Sequence, residues 1–258
     1  MNQLDILYHY WQLILVKVAA NLRAEAACNY LSYLWWVFEP ILHMMVFYIV
    51  FGFLLRSGTE NFVAFLLTGL VPWLWFNKTI SNSMMSIVQG KGLMMQVYLP
   101  KMLFPTIVIC QDAVKQTIVV VLLVCFLFLY GITPTVCWTA LPVLIVTQLL
   151  LISACSYFIS AVVPFLPDLR FLVNAGMQML MFGSAIFYNA DRIPAKYHEI
   201  FYLNPVANLL RNYRDIFLYN MWPDWGALFF ISIGSLLVIS VMLFVLRRLD
   251  HIYPRVVT

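Results

Sequence analysis

LNPVANLLRNYRDIFL, residues 203–218, is a polar and charged passage set between long apolar stretches. Asn204 suits a helix N-cap and Pro205 the first helical turn. Val206, Leu209, Tyr213 and Phe217 then share one face, so the passage predicts an amphipathic helix just ahead of the last apolar run. Arg211 and Asp215, four residues apart, can pair along that helix. The side of a bilayer that holds it decides the topology of everything around it.

The chain around this passage is 64% apolar and 16% aromatic, with only 10% charged residues among 258, where soluble domains carry about 25%. That is the composition of an integral membrane protein, and it leaves no stretch for a soluble catalytic domain. About 20 apolar residues in a helix cross a hydrocarbon layer of about 30 Å. The sequence predicts an all-α membrane domain, residues 34–258, with six such spans at about 34–55, 62–87, 103–130, 138–163, 169–187 and 225–246. Residues 188–224 connect the last two and include a second short helix at about 195–202.

Residues 1–33 lack a basic region ahead of their apolar part and a small-residue cleavage site, so they do not read as a removed signal peptide. Leu4, Leu7, Trp11, Ile14, Val18 and Leu22 recur at helical spacing opposite Asp5, His9, Gln12 and Asn21. This predicts an amphipathic helix lying along the membrane surface. The five cysteines form no CxxC pair and the four histidines have no ligand spacing, so neither a disulfide framework nor a metal site is expected. A net charge of +4 without a basic block excludes nucleic acid as a partner.

With the N-terminus in the cytoplasm, six spans return the C-terminus to that side. The inside segments then carry Lys17, Arg23, Lys91, Lys101, Arg170, Arg247, Arg248 and Arg255, and the short outside loops only Arg56. The 188–224 connection offsets Arg192, Lys196, Arg211 and Arg214 with Asp191, Glu199, Asp215 and Asp224, so charge does not hold it inside. The opening passage is therefore expected on the outer face. No GxxxxGK[ST], HExxH or GxSxG is present, so no nucleotide site or enzymatic centre of this chain's own is expected.

A charge in hydrocarbon costs about 2.5–3.5 kcal/mol on insertion scales, so the ionisable residues within spans need a reason. Glu39 precedes Pro40, whose ring can kink the first span. Trp36, Pro40, His43, Phe47 and Phe51 share a stripe there that either lines a pathway or packs. Lys78 is expected to snorkel to the headgroups, and Asp112 and Lys115, three residues apart, to neutralise one another. Asn174 and Gln178, one turn apart in span five, with Met177, Met181, Ser184 and Tyr188 on a neighbouring stripe, bind a neighbouring helix or face a cavity.

The passages YLSYLWWVFEPILHMMVFYIVFG (30–52), LTGLVPWLWF (67–76), VYLPKMLFP (97–105) and LNPVANLLRNYRDIFL (203–218) together resemble the membrane subunit of ABC-2 type polysaccharide exporters, the Wzm and KpsM family, with the aromatic-rich segments closer to the O-antigen branch. The resemblance implies a half-transporter of the bacterial inner membrane, with both termini cytoplasmic. Two copies would form the channel, and two Wzt/KpsT-like ATPase subunits would bind the ATP and Mg that this chain lacks. The implied substrate is a glycan on undecaprenyl diphosphate, and an aromatic channel wall suits a sliding sugar chain. Capsular polysaccharide, teichoic acid or a small-molecule drug are the alternatives. It further implies ATPase contacts by the N-terminal helix and by Gln89, Lys91, Gln96, Tyr98 and Lys101. The helix with Asn204, Pro205, Arg211, Tyr213, Arg214 and Phe217 becomes an external gate, with Asn208 and Asn212 toward the exit.

Overall fold

The computed structural model describes residues 3–28, 34–47, 49–50, 62–190 and 194–256. Regular structure there is helical: α1 (Gln3–Cys28), α2 (Trp35–Phe47), α3 (Phe62–Met84), two single turns α4 (Ser86–Gln89) and α5 (Lys91–Met94), and α6 (Leu103–Leu129). A 3-10 turn (Val136–Ala140) leads into α7 (Leu141–Val162), followed by α8 (Leu169–Phe182), α9 (His198–Tyr202), α10 (Pro205–Phe217), α11 (Trp225–Arg248) and α12 (Tyr253–Val256).

Among the described residues, four helices are long and apolar enough to cross a membrane: α3, α6, α7 with its leading turn, and α11. The most apolar of them, α11, buries only Leu228, Ser235 and Leu246, along α7. The least apolar, α3, is enclosed by α6, α7 and α10. Composition thus follows surroundings, because a face that meets lipid must be apolar throughout while one that meets protein can carry polar groups. The core joins Trp73, Phe76 and Ile80 of α3 to Leu144 and Ile152 of α7 and to Leu210, Ile216 and Phe217 of α10.

The expected first span, 34–55, coincides with α2 as far as Phe47, and residues 51–55 lie outside the described residues. The expected fifth span, 169–187, is helical only to Phe182. Fourteen residues give a helix of about 21 Å. It ends there because the Ser184 hydroxyl bonds back to the Leu180 carbonyl and Ala185 adopts a left-handed φ of 53°, which turns the chain. The short helix expected at 195–202 is present as a 3-10 turn and α9.

Of the N-terminal apolar stripe, Ile14 and Val18 are buried against Leu99, Leu103 and Ile107, while Trp11 is exposed. Asn21 donates to Gln111, and Glu25 pairs with Lys115 one turn further along both helices. The second half of α1 therefore packs along the first half of α6. The reason is chemical: the polar residues near the end of α1 find polar partners on α6.

Candidate functional site

Two polar regions interrupt the apolar bundle, one between α1, α3 and α6, the other under α10. The first is a cavity of about 520 Å³ whose lining includes Glu25, Lys78, Asn82, Gln111, Asp112 and Lys115. Lys115, nearly buried, lies between two acids: it pairs with Glu25 and stands 3.7 Å from Asp112. Asn82 donates to the other oxygen of Asp112 at 3.0 Å, and Gln111 donates to Glu25 at 3.0 Å. Lys78, expected to snorkel, pairs with Glu39 of α2. The expected Asp112 and Lys115 pair is therefore part of a larger network in which three carboxylates face two ammonium groups on four helices. Desolvated charges survive only with such partners.

Of the other residues expected along a pathway, the side chains of Trp36, Pro40, His43 and Phe47, and all of Phe51, lie outside the described residues. Asn174 and Gln178 are exposed on α8, a helix with no buried residue, and Met181 packs partly against the core. Ser184 is buried in the single chain and accepts a hydrogen bond from Asn204 Nδ2 at 3.0 Å. The Tyr188 hydroxyl donates to the Phe182 carbonyl at 3.0 Å, which folds the chain back on the end of α8.

The loop between α3 and α6 divides in the same way. Gln89, Gln96 and Tyr98 are exposed and Lys91 half-buried. Lys101 is buried, with its ammonium donating to the Leu99 carbonyl and 3.9 Å from Asp250. Its side chain offers almost no exposed surface in the single chain. Asp250 accepts from the Lys101 backbone N–H at 2.8 Å and from the Tyr98 hydroxyl at 2.6 Å. The residues after α11 therefore hold the loop. Tyr253 anchors them in turn, its ring buried and its hydroxyl bonded to the Ala161 carbonyl. No sequence signal marked Asp250, since its partners are about 150 positions away.

At the other region α10 begins as expected: Asn204 caps it by accepting from the Val206 N–H at 3.0 Å, and Pro205 follows. Val206, Leu209, Tyr213 and Phe217 are buried together. The polar side is buried as well. Asn212 is fully enclosed, bonded to Asn208 and accepting from the Asp224 N–H, so it does not face an exit. Tyr213 donates to Gln148 Oε1 at 2.7 Å, and Gln148 donates to the Pro72 carbonyl at 2.8 Å, a chain that ties α10 to α7 and α3. Arg211 and Asp215 are 3.6 Å apart, an ion contact longer than a hydrogen bond.

Arg214 lies flat over the Phe65 ring at 3.7 Å and donates to the Ile186 carbonyl at 3.0 Å. Burial pushes its guanidinium down to about 10, so it stays charged at neutral pH. Gly69 makes the room: a Cβ there would stand 2.6 Å from Arg214 Nη2. Gly69→Ala is expected to push the guanidinium off its carbonyl and cost about 1–3 kcal/mol, the usual penalty for an orphaned buried donor. Thermal unfolding of the purified protein reads this directly, and an unchanged midpoint would mean that Arg214 moves aside freely.

Comparison with known proteins follows the same outline. The model of the ABC-2 type transporter family matches residues 16–218. An O-antigen export system permease protein from Klebsiella pneumoniae is 28% identical over 211 residues, 81% of this chain and 82% of that one. Its counterpart from Myxococcus xanthus is 27% identical over 84% of this chain and 85% of its own length. The polysialic acid transport protein KpsM of Escherichia coli is 23% identical over 86% and 87%.

Proposed function

Because the chain belongs to the ABC-2 type transporter family, we propose that it is the membrane subunit of an ATP-driven exporter that moves a lipid-linked polysaccharide, an O-antigen, across a bacterial inner membrane. The observation that carries this reading is the similarity to O-antigen export permeases over four fifths of both chains. The carrier would be undecaprenyl diphosphate. ATP and Mg would bind to two separate ATPase subunits, and this chain supplies no cofactor site.

In this reading the bundle has six spans: α2, α3, α6, α7 and α11, with α8 and the residues up to 187 as the fifth. Both termini are cytoplasmic. Residues 188–224, with α9 and α10, form the outer gate. The exposed side chains of Gln89, Gln96 and Tyr98, with Lys91 and the start of α1, meet the ATPase. Two copies enclose the path, and α8, unburied in the single chain, supports this by offering an apolar face with Asn174 and Gln178 for the second copy or the glycan.

The test is co-purification and reconstitution. Expressed with an ATP-binding-cassette subunit of an O-antigen exporter, the chain should come down as a complex holding two copies of each. In vesicles the complex should hydrolyse ATP faster when its lipid-linked glycan is present. A chain that purifies alone as a stable monomer, or a complex whose hydrolysis ignores the glycan, would overturn the reading.

A further inference from the structure

Among the described residues, the cavity beneath α10 gathers more cations than anions. Its volume is about 220 Å³, and its lining includes Phe65, Tyr202, Arg211, Arg214 and Asp215. Among the described lining residues, two guanidinium groups face one carboxylate. Arg214 is only 5% exposed. Within the described residues it makes one hydrogen bond, from Nη2 to a carbonyl, and its Nε has no partner. Asp215 lies 3.6 Å from Arg211 and also bears electrostatically on Arg214, with a hydrogen bond to neither.

A buried cation with no carboxylate hydrogen-bonded to it among the described residues is costly, and a ring face, one carbonyl and the nearby Asp215 charge offset only part of that cost. The fold nevertheless fixes this one firmly. Gly69 leaves it space, the left-handed Ala185 brings the Ile186 carbonyl to it, and Phe65 lies under it. Arg211, three residues earlier and half-exposed, stacks on Tyr202 at 4.8 Å and keeps its forked donors clear of a true hydrogen bond to Asp215. A cavity of this size admits one sugar-sized group. Paired guanidinium groups, each backed by an aromatic ring, suit a planar or tetrahedral oxyanion.

We propose that this cavity is an oxyanion subsite that receives an acidic substituent of the exported chain, the carboxylate of a uronic-type sugar or a phosphate on a sugar, with Arg211 making the contact and Arg214 supplying the buried charge. The proposal rests on α10 standing on the export path. A passing polymer would be held through one charge-assisted contact at a time. Such a contact can hold the chain in register and release it without a full set of hydrogen bonds to break.

The purified full chain in lipid nanodiscs is titrated with methyl glucuronide, methyl glucoside and inorganic phosphate, with binding followed by tryptophan fluorescence or ligand-observed NMR. The glucuronide should bind at least about tenfold more tightly than the glucoside, the range for hydrogen bonds to charged groups. That preference should vanish in Arg211→Gln, whose altered side chain is half-exposed and does not threaten folding, and should weaken in Arg214→Lys. Phosphate that competes with the glucuronide and binds more tightly would assign the site to phosphorylated sugars; phosphate that fails to compete would assign it to carboxylates. Equal binding of glucuronide and glucoside, no binding to the folded wild type, or an Arg211→Gln variant that still prefers the acid would each overturn the proposal. These readouts do not depend on sidedness. Labelling of Asn208→Cys, in a variant without native cysteines, by an impermeant thiol reagent from the cytoplasmic side alone would instead sink the gate reading.

Discussion

Lys115→Met is expected to destabilise the protein by about 3–5 kcal/mol, the usual cost of removing one partner from a buried ion network. Lys115 is the cation shared by Glu25 and Asp112, and without it two carboxylates on α1 and α6 face each other across a desolvated gap. Glu25 is about a third exposed, which places the loss toward the lower end of that range. Neutralising the network together, with Glu25→Gln and Asp112→Asn added to Lys115→Met, should recover most of the stability, because no unpaired charge remains. Unfolding midpoints in detergent measure both variants. A single variant as stable as wild type would show that water already reaches these charges. Since Glu25 is one of the points at which α1 is tied to α6, the same substitution should also loosen the N-terminal helix and lower export per ATP hydrolysed.

Removal of the aromatic anchors of α10 should cost as much by a different route. Tyr213 and Phe217 are 3% and 1% exposed, their rings lie 6.2 Å apart, and Trp138 meets Phe217 edge-on at 5.0 Å. Truncating either to alanine opens a cavity in a packed core, a change that typically costs about 3–5 kcal/mol. Tyr213→Phe keeps the volume but leaves Gln148 Oε1 without its donor, so about 1–3 kcal/mol is expected from that variant. The Arg211 and Asp215 pair, partly exposed, contributes only about 0.3–0.5 kcal/mol. Packing therefore positions the helix. If α10 closes the channel, Phe217→Ala vesicles should leak small solutes at rest while the complex still assembles with its ATPase. A tight membrane in that variant would show that the seal lies elsewhere.

Much of α10 was legible in the sequence. Its cap, its first-turn proline, its apolar face and its charge pair are all local, set by residues within four positions of one another. The burial of its polar side was not legible. Asn212 and Arg214 look solvent-facing beside Arg211 and Asp215, and only the elements that surround them enclose their polar atoms. Span five was misjudged at its end for a similar reason. Its apolar composition continues through Phe187, but a back-bonded serine and a left-handed alanine stop the helix at Phe182.

The sequence by itself determined the class of protein, the helical composition, the absence of a nucleotide motif and the family outline. Those depend on how many residues are apolar, at what period, and beside which caps and prolines. The tertiary structure alone decided which charges meet. Lys78 takes Glu39 from 39 positions away and Lys115 takes Glu25 from 90 positions away, and Asp250 holds a loop about 150 positions earlier. It also decided that Lys101 is interior while Tyr98 is exposed. The physical reason is that in an apolar bundle nearly every helix face is acceptable to lipid or to a neighbour, so hydrophobicity does not select partners. Selection falls to the few polar groups, each of which costs too much to leave unpaired, and the depth and register at which two helices bring such groups together are properties of the assembled fold.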